Sequence, residues 1–272
     1  MVRKRNWLGF ALVAGSGVLL WVAGGTPARA QVRGSGLPPV TAKQRAAAFP
    51  DVGGVDVFHS MPNNPYESYV LFDQLEHQDS NNVGTLSWDI TAYTGRNFNR
   101  IWARSEGERR GGNTESAELQ VLYGHSIAPW WDLVAGVRED FQPAPSRGWA
   151  AFGIQGLAPY RFDLEATMFA GNGGKSAARV KAEYEFLITE ELVLQPHVEL
   201  NWYGQNDPRY GLGAGFATAE VGLRLRYEIR RRVAPYIGLV RESKHGATAR
   251  FARAAGETPE DTRLVVGVRF WF

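Results

Sequence analysis

In the stretch "AEVGLRLRYEI" a charged face and an apolar face alternate residue by residue. Val221, Leu223, Leu225, Tyr227 and Ile229 fall on one side, and Glu220, Arg224, Arg226 and Glu228 on the other. A period of two belongs to a β-strand, whose successive side chains point to opposite faces. "LVLQPHVELNW" repeats the pattern, with Leu192, Leu194, Val198, Leu200 and Trp202 opposed to Gln195, His197, Glu199 and Asn201. "RVKAEYEFLI" sets Val180, Ala182, Tyr184, Phe186 and Ile188 against Lys181, Glu183 and Glu185.

Twelve such segments follow one another, near 68–78, 83–94, 97–107, 115–126, 130–142, 148–158, 160–170, 176–188, 191–204, 216–229, 234–245 and 262–272. Each reaches the ~9–11 residues that a tilted strand needs to cross a bilayer. Alternate links are tight: "TGR" at 94–96, "IAP" at 127–129, "AP" at 158–159, "TEE" at 189–191 and "RRRV" at 230–233. The others are mostly longer and more polar, among them "ERRGGNT", "GQNDPRYGLGAG" and the stretch 246–261. Short turns on one rim and longer loops on the other are the habit of outer-membrane barrels. An even strand count places both ends of the barrel on the short-turn side. "LVVGVRFWF" (Leu264–Phe272) then reads as the closing strand.

The beginning of the chain points to export. "MVRKRNW" is basic, Leu8 to Gly25 is an apolar run, and Ala28 and Ala30 precede Gln31 at the small-residue positions of a cleavage site. Residues 1–30 are thus expected to be a signal peptide, for the general rather than the twin-arginine route, since no Arg-Arg pair occurs in them. Residues 31–65, rich in Pro, Gly and Ala and without strand period, are expected to form a disordered periplasmic arm ahead of a barrel over 66–272.

Composition narrows the classes. There are no cysteines, so disulfides, thiolate metal sites and cysteine nucleophiles are excluded. A net charge of +2 makes no case for nucleic acid. After Gln31 the longest charge-free stretches are Leu119–Trp131 and Gly148–Tyr160, too short for a membrane helix. Trp88, Tyr123, Trp130, Trp131, Tyr160, Trp202 and Tyr236 sit at strand ends, as in interfacial girdles. A soluble lipocalin-like barrel or sandwich also alternates, with its apolar face inward, and alternation does not say which face points out. The fold expected is all-β: an antiparallel up-and-down transmembrane β-barrel of about 12 strands in the Gram-negative outer membrane.

Six blocks carry a resemblance to a known family: "VLFDQLE" (Val70–Glu76), "NRIWARSEGE" (Asn99–Glu108), "GIQGLAPYRFDLEATMF" (Gly153–Phe169), "LVLQPHVELNWYGQNDP" (Leu192–Pro208), "GLRLRYEIRRRVAPYIG" (Gly222–Gly238) and "GVRFWF" (Gly267–Phe272). In that order, from Tyr66 to Phe272, the chain resembles the copper resistance protein B family. The resemblance implies an outer-membrane barrel that acts beside periplasmic copper-handling proteins and lowers copper stress, by binding the ion or passing it outward. It also implies that the terminal Phe resembles the signal read by the outer-membrane assembly machinery. Many members carry an arm dense in Met and His; here the arm offers only His59 and Met61, in "FHSMP". Thioether and imidazole suit Cu(I), and imidazole also suits Cu(II), so these two make a sparse site, or an ordinary linker.

Within the barrel, His77, His125, Met168, His197 and His245 remain as candidate ligands. His197 is best placed, on the polar face with Gln195 and Glu199, where Glu183, Glu185 or Glu220 of neighbouring strands could join it. It could bind copper or serve as a lumenal hydrogen-bonding residue. Met168 shares the apolar face of Phe162, Leu164 and Ala166 and is expected to meet lipid. Charged residues expected to point inward include Glu106, Glu118, Arg138, Arg161, Asp163 and Lys181, either as rings that attract cations or as a salt-bridge network. Both signs occur in similar numbers, so no strong selectivity is expected. A Ser–His pairing for an outer-membrane hydrolase would have to come from Ser126 with His125 or Ser243 with His245, sequence neighbours without a motif. The chain is therefore read as a non-enzyme with copper, lipid and periplasmic proteins as partners. A porin without copper specificity is the alternative.

Overall fold

The computed structural model describes residues 41–44, 65–80 and 83–272. The expected signal peptide and nearly all of the arm, His59 and Met61 included, lie outside the described residues.

The alternating segments form β1 (Glu67–Ser80), β2 (Val83–Arg96), β3 (Asn99–Arg110), β4 (Asn113–Ala128), β5 (Trp131–Gln142), β6 (Arg147–Ala158), β7 (Phe162–Gly171), β8 (Ser176–Glu183), β9 (Phe186–Leu187), β10 (Leu192–Tyr203), β11 (Gly215–Tyr227), β12 (Val233–Lys244) and β13 (Glu260–Trp271). β8 and β9 are two halves of one stave, since both pair with β10. The sheet is therefore a twelve-stave antiparallel barrel, closed by β1 on β13. Closure gives every strand two neighbours, so no row of backbone N–H and C=O groups is left at an open edge. At the seam Phe72 stacks on Phe270 with ring centroids 4.4 Å apart. Val70 and Phe272 exchange both backbone hydrogen bonds, at 3.3 and 3.0 Å.

The faces that alternation left open are now assigned. Val221, Leu223 and Ile237 are exposed on the outside, whereas Arg224 and Arg226 are 3% and 1% exposed inside. Apolar out and charged in is the inverse of a soluble barrel and suits a hydrocarbon solvent. Met168 points outward as expected. Leu223→Arg is expected to destabilise the barrel by about 2–4 kcal/mol, the cost of a cation at mid-bilayer depth. Urea unfolding of protein refolded into phospholipid vesicles would measure it, and a change below 1 kcal/mol would place Leu223 away from lipid.

Four expectations are corrected. "ERRGGNT" is mostly strand: β3 and β4 run up to a two-residue turn at Gly111–Gly112, whose φ values of 55° and 91° favour glycine. The long-loop rim is therefore built from links 204–214 and 245–259, and the first two links on that side are short. The second of those long links is not all loop, because Gly246–Ala254 forms a helix, α1. Its buried residues Ala247, Thr248, Ala249 and Ala252 are small, which lets link 204–214 approach until the Gly213 N–H donates to Thr248 Oγ1 at 2.9 Å. Tyr236 is not part of an outer girdle; it is buried on the inner face, with the Arg224 guanidinium 6.0 Å from its ring centre. Arg161 does not line the lumen, since it lies exposed in the turn Pro159–Arg161.

The interior is also less uniformly polar than strand alternation implied. Leu122, Val134, Trp149, Ala151 and Phe169 pack into an apolar cluster on the inner wall of β4 to β7. Arg138 lies over the Phe169 ring at 4.7 Å, so the charged network is laid on an apolar bed.

Candidate functional site in the barrel lumen

His197 points inward from β10 and is 8% exposed. It fits there because its register partner on β11 is Gly222. A Cβ at Gly222 would come within 2.3 Å of the imidazole Nδ1. Arg224 Nη1 lies 2.8 Å from Nδ1, and a guanidinium only donates. Nδ1 is therefore the acceptor, and Nε2 carries the proton that faces Glu220 Oε1 at 3.0 Å. Arg224 continues to Glu76 Oε1 at 2.6 Å. Both nitrogens of His197 are thus engaged in a chain that runs Glu220–His197–Arg224–Glu76.

Of the three acids that neighbouring strands could have supplied, only Glu220 meets His197. Glu183 accepts from Gln195, and Glu185 pairs with Arg226 at 2.8 Å. Glu199 shares the inward face of β10 two residues beyond His197, opposite Glu220 in register. It is held by Asn201 Nδ2 at 2.7 Å, Arg179 at 3.4 Å and Lys181 at 3.5 Å. Among the described residues, no group of three or more His, Asp or Glu side chains is arranged to hold a metal ion.

Arg179 and Lys181, both on β8, reach across the lumen. Arg179 makes two bonds to Glu118 of β4, at 2.8 and 2.9 Å, and one to Glu106 of β3 at 3.1 Å. Lys181 bonds Glu106 and reaches Asp89 of β2 at 3.1 Å. Glu118 also pairs with Arg138 at 2.7 Å, and Arg138 with Asp140 at 2.6 Å. Bidentate and shared pairs of this kind fix side chains that would otherwise sweep the lumen.

This layer divides the interior. A cavity of about 950 Å³ opens toward the short-turn rim, and one of about 390 Å³ lies toward the long-loop rim. They meet at Asp73, Asp89, Glu106, Lys181 and Glu183, which line both. Together the two cavities are lined by thirteen Asp or Glu and nine Lys or Arg side chains. The balance of the lumen is therefore acidic although the chain carries +2. That differs from the near-equality expected from the strands as a whole.

Asp73, Glu76, Asp89 and Arg179 belong to the network but were not singled out from the sequence. Arg179 had a signal, being in phase with Lys181 and Glu183. Asp73 and Glu76 did not, because a register shift between Phe72 and Gln74 puts an odd and then an even position on the same inward face. The other histidines stand apart from this chain of contacts. His77 is exposed, and His125 lies 2.9 Å from Asn99 Oδ1. His245 stacks on Phe216 with centroids 4.6 Å apart and lies 3.0 Å from Ser243 Oγ. Ser126 turns from His125 to donate to Asp132 at 2.6 Å.

The profile of the family described as copper resistance protein B precursor matches residues 66–272. A copper resistance protein B from Escherichia coli is 48% identical over 236 residues, covering 87% of this chain and 78% of that protein. A copper resistance protein B homolog from Pseudomonas syringae pv. tomato is 47% identical over 236 residues, covering 87% and 79%. Among solved structures the NanC porin aligns with a TM-score of 0.51 at 14% identity, over 75% of this chain and 99% of that one. At that identity the likeness concerns the barrel fold alone.

Proposed function

Because the chain belongs to the copper resistance protein B family, we propose that it is an outer-membrane barrel that contributes to copper resistance without catalysis. It contacts copper ions in its lumen and passes them outward. A cleaved signal peptide over 1–30 delivers it, and the arm over 31–65 faces periplasmic copper-handling proteins. The observation that carries this reading is the inward His197 with Glu220 at 3.0 Å and Glu199 on the same face. It is the one lumenal imidazole among the described residues, set in a wall rich in carboxylates.

The arrangement suits transient contact. Copper at Nε2 would have to displace the proton that His197 shares with Glu220, leaving Glu220 as a second ligand. Arg224 would stay on Nδ1 and repel a cation held for long. His59 and Met61 complete the proposed ligand set from the arm and suit Cu(I), while His197 and Glu199 suit Cu(II).

The test is titration of the refolded protein with Cu(II), and with Cu(I) under reductant, with zinc as control. Selective, saturable copper binding is expected, weakened in a variant carrying His59→Ala, Met61→Ala and His197→Ala. Unchanged affinity and stoichiometry in that variant would remove these ligands. Binding no tighter than zinc would remove copper capture altogether and favour a porin without copper specificity.

A further inference from the structure

We propose that the lumen is a cation-preferring pathway and that Lys181 is the residue that closes it. The inference deepens the outward passage of copper proposed above, yet its test uses potassium chloride and needs no copper.

Three observations meet at this one side chain. The first is geometric: the cavities on either side share only five lining residues, and Lys181 is the single base among them. The second is the direction of its contacts. From β8 it touches Asp89 on β2, Glu106 on β3 and Glu199 on β10, so one ammonium ties walls that face each other across the barrel. The third is the charge of what it closes. Over both cavities carboxylates outnumber Lys and Arg by thirteen to nine, and the surplus is concentrated in the shared layer, where Asp73, Asp89, Glu106 and Glu183 surround the one base Lys181. A low-dielectric wall lined by excess carboxylates raises the local concentration of cations and excludes anions.

A fixed ammonium in the layer that the two cavities share opposes both consequences. It fills the space between three carboxylates, and its charge repels the cations that the acids of this layer would otherwise attract. Without it, Asp89, Glu106 and Glu199 would repel one another and hydrate, and Arg179 would be the one base left between Glu106 and Glu199. The two cavities would then merge into a water-filled path.

The absence of cysteine supplies a direct test. In planar bilayers the parent protein is expected to pass little current and to show a cation-selective reversal potential. Lys181→Cys should raise conductance severalfold and shift the reversal potential further toward potassium. Treating that channel with 2-aminoethyl methanethiosulfonate forms a disulfide at Sγ, releases methanesulfinate and restores a primary ammonium near the original place. The current should then fall back. The 2-sulfonatoethyl reagent, which adds a negative charge, should leave conductance high and strengthen cation preference. Because the reagents act on a channel already inserted, folding differences do not enter. Lys181→Gln combined with Glu106→Gln preserves the balance of charge and should open the path without changing selectivity. An anion-selective parent would overturn the cation pathway. A Lys181→Cys channel with parental conductance, or one indifferent to both reagents, would overturn the role of Lys181. Neither failure bears on copper binding.

Discussion

Arg224→Met is expected to destabilise the barrel by about 3–5 kcal/mol, the cost of breaking a buried ion pair from one side. Glu76 is fully buried, and Arg224 Nη2 is the hydrogen-bond partner of its Oε1. Its other oxygen has no partner among the described residues. Removing the guanidinium strands a carboxylate in a space that water does not reach. It also takes the donor from His197 Nδ1. Urea unfolding of protein refolded into phospholipid vesicles, followed by tryptophan fluorescence, would read the loss. Arg224→Met with Glu76→Met should recover most of it, since a buried pair replaced by apolar residues of similar volume is often neutral. A double variant as unstable as the single one would show that Glu76 is not the group left stranded.

Deleting residues 268–272 is expected to abolish the closed barrel. The segment supplies the pairings Phe72↔Phe270 and Leu71↔Trp271 on the β1 side, and Val233↔Phe270, Ala234↔Arg269 and Pro235↔Val268 on the β12 side. It also removes Arg269, bonded to Asp73 at 2.7 Å across the seam. Without these contacts the start of β1 faces lipid with unpaired N–H and C=O groups, each costing several kcal/mol. The Phe72–Phe270 stack that fixes register at the seam is lost as well. Folded outer-membrane barrels migrate differently in gel electrophoresis before and after boiling, which gives the readout. The truncated chain should show the unfolded band alone. A heat-modifiable band of normal mobility would mean that β1 and the rest of β13 suffice to close the sheet.

Strand positions were legible because a period of two needs only local information. The segments expected at 216–229 and 191–204 match β11 and β10 within two residues at each end. What local information misses is a change of phase. The register shift after Phe72 hid Asp73 and Glu76, and the break at Tyr184–Glu185 split one stave into β8 and β9. α1 was hidden for a different reason. Its sequence, GATARFARA, is short and begins with glycine, and what holds it is packing against link 204–214, a partner distant in the chain.

The candidate site was legible in part. His197 was visible as an imidazole on a charged face, and Glu220 as one of three acids within reach. Which acid meets it depends on how β8, β10 and β11 align, and alignment between strands is a tertiary property.

By itself the sequence determined the strands, their order, the family and the polarity of each face, because these follow from alternation and from residue identity. The tertiary structure decided which face points outward, which charges meet across the lumen and that Lys181 lies in the layer lining both cavities. Those outcomes depend on closing the sheet. Closure brings β8 opposite β2 and β3, and it places an acidic surplus inside a chain whose net charge is positive.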